Sequence, residues 1–400
     1  MQNKKVIFGL IVIIVIMGLA LLFTNIKNFS TRNTIKIISS VPMRGATVGQ
    51  SMYNGTDMAF EEIGYQIGKF KIEFIPKDDG DETGKWQTYL ERNIATEAVN
   101  DPDVMVYMGT YNSGAAKISI PITNRAGLVQ VSAANTWPGL TLPGYLPGEP
   151  GIFYPTNKRT FFRVCPNDAV QGPVGAMWAK EMGVKKVYIV DDGDAYGKGI
   201  ATLFEKKARE IGITVVAHTS ISAIDALSID ETVFDIKKQN PDLIYFGGVT
   251  ANGAIPFVTR VRKNNIPSKI MGPDGIGDES FINNVGKDAE GIFITSGGLA
   301  ADAMTGKGKD FVDAYKAKYG KDPDIYGIYT YEAGKVVIEA IKKAGVKDRA
   351  KILEEISRTE NFTGFFGTWS FDTYGDTTKA FMVANIIQNG KVEFIKILQN

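Results

Sequence analysis

Hydroxyl, phenol and carboxylate side chains recur directly after predicted strands of this sequence. Ser113 ends the segment Thr-Tyr-Asn-Ser after one apolar run, and Thr136 ends Ser-Ala-Ala-Asn-Thr after the next. Tyr196 and Asp274 follow two apolar runs in the second half of the chain. Hydroxyl groups and free amides at a helix N-terminus suit a carboxylate, because the helix dipole also favours negative charge there. A carboxylate and a backbone carbonyl suit an ammonium group, so the four positions together would suit an amino-acid zwitterion.

Each of these residues also has a purely structural interpretation. Ser113 could cap the helix that follows it, a role that serine fills often. Thr136 could be an ordinary loop residue and Tyr196 an aromatic side chain in a surface turn. Asp274 stands in Pro-Asp-Gly, which is a strong turn signal by itself. The residue pattern alone leaves both interpretations open.

The sequence contains no recognisable catalytic or nucleotide-binding motif. No G-x-S-x-G occurs, no G-x-G-x-x-G follows a strand, and the segment around Gly308 lacks the P-loop spacing. The single histidine, His218, lies on a predicted strand, where a structural role is favoured over a catalytic one. We therefore expect a protein that is not an enzyme and that carries no cofactor.

Length and composition restrict the architecture and the partners. A chain of 400 residues exceeds one ordinary core, so two lobes are expected. The net charge of +1 gives no reason to propose nucleic acid as a partner. Cys165 is the only cysteine, which excludes an internal disulfide and, with one histidine, a Cys/His zinc site. Carboxylates are not clustered at metal-ligand spacing, so no metal is expected.

The elements that must position the candidate residues alternate between strand and helix. The segment 185–216 is one complete unit: an apolar strand, an Asp- and Gly-rich loop that contains Tyr196, an amphipathic helix and a second strand. Such units form parallel sheets, whose ligands bind at the carboxyl ends of the strands. The predicted strands are 35–38, 71–75, 104–108, 128–131, 161–163, 187–190, 213–216, 242–246, 269–271, 292–295, 367–371, 381–388 and 392–398. The predicted helices are 49–63, 83–99, 114–125, 170–182, 200–211, 255–262, 308–319, 330–344 and 350–358, and an acidic turn is predicted at 77–80.

Residues 136–160 interrupt this alternation. They include five prolines and show no periodic apolar run. A loop of this length in a compact domain is uncommon and is often functional. The sequence is compatible with a lid over a cleft and equally with a surface excursion beside it.

The N-terminus predicts export from the cytoplasm. Lys4 and Lys5 precede an apolar run at residues 6–23, which is just long enough to span a bilayer core. The run is either a cleaved signal peptide or a retained membrane anchor, followed by a polar tether. No cysteine follows it, so lipid attachment through an N-terminal cysteine is not expected.

Four motifs in order give a family resemblance. They are FRVCPNDAVQG at 162–172, IVDDGDAYGKG around Tyr196, YFGG at 245–248, and MGPDG at 271–275 followed by AEGIFIT. From about Ile35 to its C-terminus, the chain resembles the type I periplasmic binding proteins of ABC importers. The similarity is to the branch that binds leucine, isoleucine and valine.

The resemblance implies specific roles for the candidate residues. Ser113 matches a serine that binds the ligand α-carboxylate. Thr136 matches a threonine that contacts both ends of the zwitterion, and Ala134 matches an alanine whose carbonyl accepts from the ammonium group. Tyr196 matches a tyrosine that closes over the ligand from the second lobe. Asp274 matches an acidic residue, usually Glu, that faces the α-ammonium group.

Other positions depart from the branched-chain pattern. Val48 and Val249 stand where aromatic ligand contacts are common, and Tyr111 and Asn112 replace smaller or apolar residues. Tyr111 and Val249 are therefore expected to shape the ligand side-chain pocket, and leucine itself is not assured as the ligand. Asp168 lies near an expected crossover between lobes and is interpreted as a hinge contact.

The resemblance implies an α/β fold of two doubly wound parallel-sheet lobes joined by a three-strand hinge, behind the N-terminal hydrophobic segment. The expected division is 1–33 as signal or anchor with its tether, 34–162 with 297–362 as the first lobe, and 163–296 with 363–400 as the second. The implied function is an extracytoplasmic monomer that captures an amino acid, or a related small molecule, and delivers it to an ABC permease. A ligand-binding sensory ectodomain for amino acids or amides on the same lobes is the alternative, and an enzyme on this fold is a less favoured one.

Overall fold

The computed structural model describes residues 33–223 and 225–399. The predicted hydrophobic segment at 6–23 lies outside the described residues. Within the described part, no helix combines the length and the apolar character needed to cross a bilayer. Two twisted sheets, each covered by helices on both faces, form the body of the molecule and confirm the predicted α/β class.

The first sheet has six strands in the order β2-β3-β1-β4-β5-β6. All neighbours are parallel except the short β2, which pairs antiparallel with β3. The central strands β4 and β5 are buried along their whole length, as expected for apolar runs covered on both faces. The strands are β1 (Thr34–Val41), β2 (Gln66–Ile67), β3 (Phe70–Asp78), β4 (Val104–Gly109), β5 (Val129–Ser132) and β6 (Phe161–Arg163).

The second sheet has seven strands in the order β15-β14-β11-β10-β9-β7-β8. Its five consecutive strands from β8 to β11 are parallel, and β14 and β15 add an antiparallel edge. The strands are β7 (Lys186–Asp191), β8 (Thr214–Ser220), β9 (Leu243–Gly247), β10 (Lys269–Pro273), β11 (Phe293–Gly297), β14 (Met382–Gln388) and β15 (Lys391–Leu398). A separate hairpin pairs β12 (Phe362–Gly364) with β13 (Gly367–Trp369).

Eleven α-helices in the described part connect and cover the strands. Those of the first half are α1 (Thr47–Glu61), α2 (Thr88–Asn100), α3 (Ser113–Arg125), α4 (Asp168–Glu181) and α5 (Ala195–Glu210). Those of the second half are α6 (Ala226–Gln239), α7 (Ala254–Lys263), α8 (Glu279–Val285), α9 (Lys307–Tyr319), α10 (Ile325–Ala344) and α11 (Arg349–Ser357).

Several sequence predictions need correction. The helix predicted from residue 83 begins at Thr88, because the Asp81 carboxylate accepts hydrogen bonds from the backbone of Thr83 and Lys85 and holds a turn there. The turn predicted at 77–80 begins later, since β3 extends to Asp78 through its pairing with β1. The strand predicted at 367–371 ends at Trp369 and pairs only within its own hairpin. Helices α6 and α8 were not predicted.

The sheets place the candidate residues at their carboxyl edges. Tyr111 and Ser113 follow β4, Thr136 follows β5, and Asp274 follows β10 directly. The division into lobes at 162, 296 and 362 stays a prediction, and the hairpin after 362 packs on the core of the first sheet through Trp369.

Candidate functional site

Ser113 opens helix α3 on the first-sheet side of the cleft. The helix begins at Ser113, with Asn112 at the N-cap position, and the Ser113 hydroxyl oxygen accepts the backbone N–H of Trp137 at 3.2 Å. The interpretation of Ser113 as a helix cap is therefore wrong. Ser113 is 1% exposed and ties the N-terminus of α3 to the loop after β5.

The loop that carries Ala134 and Thr136 is fixed from behind by Arg163. This arginine is fully buried, and its guanidinium donates to the carbonyls of Asn135 and Trp137, the two neighbours of Thr136. Asp376, from a distant turn, accepts two further bonds from the same guanidinium at 2.8 and 3.0 Å. Arg163 thus sets the direction of Thr136 without facing the cleft itself.

The Thr136 hydroxyl faces a buried carboxylate, Asp168, on the first turn of α4. Asp168 is completely buried, and neither of its carboxylate oxygens has a hydrogen-bond partner among the described residues. The Thr136 hydroxyl is also without a partner of normal geometry, although its proximity lowers the pKa of Asp168. Burial and the nearby negative charge of Asp274 outweigh this effect and raise the pKa of Asp168 to about 8.

Asp274 contributes the second carboxylate, from the second sheet. One of its oxygens accepts from the Tyr196 hydroxyl at 3.0 Å and from the Gln171 amide at 3.1 Å, and the Tyr326 hydroxyl also bonds to this carboxylate. Burial raises the pKa of Asp274 despite these donors. Tyr196 is 6% exposed, so its interpretation as a surface turn residue is wrong.

An apolar cluster from both sheets adjoins these polar groups. Tyr111 meets Tyr326 edge to face, with ring centroids 5.1 Å apart. Val249 and Tyr196 approach from the second sheet and Ala134 from the first. The remaining buried members are Val41, Val48, Met52 and Ile200.

The rim of the cleft is closed by two tryptophans. The Trp86 indole N–H donates to the Asp194 carboxylate on the opposite side at 2.7 Å. Trp137, at the start of the proline-rich loop, lies so close to Gly199 of α5 that a Cβ there would be 2.3 Å from the ring. Most of the loop packs on the first sheet, with Leu140, Phe153 and Tyr154 buried, while Trp137 reaches across the cleft.

The arrangement suits a small molecule with a cationic group and an apolar part. Two carboxylates and one hydroxyl converge next to a helix N-terminus and an apolar wall. Among the described residues no lysine or arginine bonds to either carboxylate, and the charge of Arg163 only partly offsets the raised pKa of Asp168. No group of three or more His, Cys, Asp or Glu side chains that could hold a metal ion occurs within 33–223 and 225–399.

The structure brings most of the predicted site residues together. Thr136, Tyr196 and Asp274 surround Asp168, while Tyr111, Ala134 and Val249 form the adjoining apolar wall, and Ser113 lies behind Trp137. Their contacts with a ligand stay predictions. Sequence reasoning treated Asp168 as a hinge contact and missed the roles of Gln171, Tyr326 and Arg163. The spacing of Asp168 and Gln171, which places both on one turn of α4, was the available signal for these two residues.

Comparison with known proteins gives consistent matches over nearly the whole described chain. The model of the family described as periplasmic binding protein matches residues 34–391. A leucine-, isoleucine-, valine-, threonine- and alanine-binding protein of Pseudomonas aeruginosa is 27% identical over 349 residues, which cover 86% of this chain and 87% of that protein.

Solved structures agree in fold. A leucine-binding protein from Thermotoga maritima superposes with a TM-score of 0.79 at 27% identity, covering 91% of this chain and 98% of that one. The substrate-binding protein of a branched-chain amino acid transporter from Streptococcus pneumoniae, solved with isoleucine, gives a TM-score of 0.78 at 26% identity, covering 91% and 99%.

Proposed function

Because this chain belongs to the periplasmic binding protein family, we propose that it is the extracytoplasmic solute-binding protein of an ABC import system. Its ligand is an amino acid, branched-chain or otherwise aliphatic, held between two closing lobes. The segment at 6–23 directs export, as a cleaved signal or a retained anchor. The protein acts as a monomer and has no enzymatic activity.

The unpaired carboxylate of Asp168 is the observation that supports an ammonium ligand. Asp168 and Asp274 are both buried, and the negative charge of Asp274 raises the pKa of Asp168. No lysine or arginine of the described chain bonds to either carboxylate. A ligand ammonium group would supply the missing charge, and the Thr136 hydroxyl would complete its coordination. Such a group therefore favours the closed cleft over the open one.

The other end of the zwitterion suits the N-terminus of α3. Ser113 and the first amides of this helix offer hydrogen-bond donors at the positive end of the helix dipole. The ligand side chain then points to the wall formed by Tyr111, Val249 and Tyr326. Since this wall is apolar, an aliphatic side chain is favoured over a charged one.

Closure follows from where the ligand's contacts lie. Ser113 and Thr136 belong to elements of the first sheet, whereas Asp274 and Tyr196 belong to the second, so a ligand that touches all four stabilises only the closed form. Trp86 and Trp137 then seal the rim. A permease that recognises the closed form would receive only loaded protein.

A thermal-shift screen of the purified protein against amino acids, simple amides and short carboxylates tests the proposal. An aliphatic amino acid should raise the unfolding midpoint by mass action, and Asp274→Ala should abolish the rise. Asp348→Asn, which changes a helix N-cap far from the cleft, is the control and should respond like the wild type. A rise only with ligands that lack an ammonium group would contradict the assigned role of both carboxylates.

A further inference from the structure

A second cavity opens between the two halves of the molecule, beside Asp274. Its volume is about 350 Å³, enough for about ten water molecules or a small organic ligand. One wall comes from the second sheet and α8, through residues that include Ile282, Ile294 and Asn385. The opposite wall comes from the approach to α10, through Pro323, Asp324 and Tyr326.

Acidic side chains dominate this cavity. Six carboxylate residues and two lysines line it. Both lysines already have acidic partners, Lys321 with Glu279 at 3.0 Å and Lys391 with Asp302 at 3.8 Å. Asp322 is paired with Lys316 at 3.0 Å, so the lining carboxyls without a lysine or arginine partner among the described residues are Asp274, Asp278 and Asp324. Burial raises the pKa of each of them, and that of Asp324 to about 7, so the field inside the cavity becomes negative as they ionise.

Asn385 supplies a separate signal for a bound donor. Its side chain is 1% exposed and lines the cavity, and its carbonyl oxygen has no hydrogen-bond partner within the described residues. The amide orientation is fixed by its neighbour: the Ser296 hydroxyl donates to the Gly298 carbonyl and therefore accepts from the Asn385 amide nitrogen at 2.9 Å. A buried acceptor without a donor lowers the stability of the fold, so this oxygen is a candidate acceptor for a ligand N–H group.

We propose that this cavity is a second binding site, for a small organic cation of the primary alkylammonium or guanidinium class. The ammonium or guanidinium group donates to Asn385 and lies among Asp274, Asp278 and Asp324, and the alkyl part packs on Ile282 and Ile294. This site goes beyond the amino-acid site and does not depend on it. The two sites share the Asp274 carboxylate, Ile325 and Tyr326 as a common wall.

Occupation of the cavity is coupled to closure. Its lining comes from both halves of the molecule, so the complete site exists only when the cleft is closed. A cation bound there favours the closed form, and by linkage any change that it causes in the affinity of the cleft equals the change that a cleft ligand causes in the affinity for the cation.

The test is an NMR titration of the purified protein with n-butylammonium, using n-butanol as the uncharged control of the same shape. The double variant Asp278→Asn with Asp324→Asn removes two charges from the cavity. Both residues are helix N-caps, and asparagine caps helices as well as aspartate, so folding is retained. Asp225→Asn changes a comparable N-cap outside the cavity and serves as the matched control.

We expect saturable binding of n-butylammonium, none of n-butanol, and a dissociation constant about tenfold or more weaker in the double variant but unchanged in the control. Equal binding of n-butanol, or unchanged binding in the double variant, would overturn the proposal. Loss of binding in Asp168→Asn but not in the double variant would also overturn it, because the cation would then occupy the amino-acid site. Failure of the amino-acid screen leaves the outcome of this titration unaffected.

Discussion

Two buried ionic groups lie on either side of the loop 134–137, and they differ in one respect. Behind the loop, the Arg163 guanidinium is fully satisfied by Asp376, Thr141 and two backbone carbonyls. In front of it, neither carboxylate oxygen of Asp168 has a hydrogen-bond partner of normal geometry among residues 33–223 and 225–399, although the Thr136 hydroxyl is close. The first group has its hydrogen bonds in the folded chain, whereas the second lacks them, which is the basis for the proposed ammonium ligand.

The comparison shows how one loop can serve stability and recognition together. Arg163 holds the backbone on both sides of Thr136, so the hydroxyl is directed at Asp168 before any ligand arrives. Preorganisation of this kind lowers the entropy lost on binding. Stability and affinity should therefore respond to different substitutions.

The largest effect is expected from Asp376→Ala. The substitution leaves the Arg163 guanidinium buried without its counter-ion, which should lower the free energy of unfolding by about 3–5 kcal/mol. Chemical denaturation measures this. The double variant Arg163→Met with Asp376→Leu removes the unpaired charge but leaves the Asn135 and Trp137 carbonyls without their donor, so it should restore only part of the loss. A single-variant loss below about 1 kcal/mol would refute the structural role of the pair.

Asp168→Asn should have the opposite effect to Asp376→Ala: it should lower ligand affinity and leave the stability of the fold largely unchanged. With a pKa of about 8, Asp168 is mostly protonated at neutral pH in the ligand-free protein, so its replacement by asparagine should change the free energy of unfolding little. Amino-acid affinity should fall about 100-fold, because the carboxylate that would pair with the ammonium group is lost. Calorimetric titration beside a denaturation curve separates the two quantities. A destabilised protein with unchanged affinity would mean that Asp168 is structural, like Arg163.

Ligand-free closure should depend on pH. Because the pKa of Asp168 is about 8 in the closed form, above its ordinary value, closing the empty cleft takes up a proton. Closure is then favoured as pH falls below 8 and disfavoured by up to about 1.4 kcal/mol per unit as pH rises towards 8.

Small-angle scattering of the ligand-free protein between pH 5 and 8 measures this change in compactness. Asp168→Asn should reduce the dependence, and the part that remains belongs to Asp274 and Asp324, whose pKa values burial also raises. Asp348→Asn should retain the full dependence. If the compactness of the unmodified protein did not change with pH, closure of the cleft would not raise the pKa of Asp168, and the prediction would be wrong.

A smaller effect is expected at the rim. Trp86→Phe removes the indole hydrogen bond to Asp194 across the cleft and should weaken ligand binding about fivefold, or about 1 kcal/mol, through faster dissociation. Stopped-flow fluorescence follows the dissociation rate. Tyr89→Phe, at an exposed position on α2, is the control and should dissociate at the rate of the unmodified protein.

The smallest effect is expected at a third ionic cluster, which is partly exposed. His218 lies between Asp191 at 3.0 Å and Glu205 at 2.6 Å, and these carboxylates raise its pKa in spite of burial. A raised histidine pKa contributes stability that is present below the unfolded pKa, about 6.5, and lost as pH rises through the folded pKa.

Thermal unfolding of His218→Gln and the parent from pH 5 to 9 tests this contribution. We expect a difference of less than about 1 kcal/mol that is largest at the acid end of this range, because partial exposure screens the pair. A difference that grows with pH would contradict the assignment.

The sequence by itself determined the class of fold and the edge at which the site lies. Apolar runs such as 104–108 and 187–190 predicted buried strands, and the polar turns after them placed Ser113, Thr136, Tyr196 and Asp274 correctly at the carboxyl edges of the sheets. Helix starts were less accurate where a side chain competes with the helix, as Asp81 does before α2. These features are local, since each depends on a few neighbouring residues.

Only the tertiary structure decided which charges are paired. Arg163 meets Asp376 across 213 positions of sequence, and Gln171 meets Asp274 across 103. Whether a buried carboxylate such as Asp168 keeps its charge depends on every group that packs around it, and these groups come from distant segments. Periodicity describes the elements, whereas the unpaired oxygens that point to a ligand arise only when those elements are packed together.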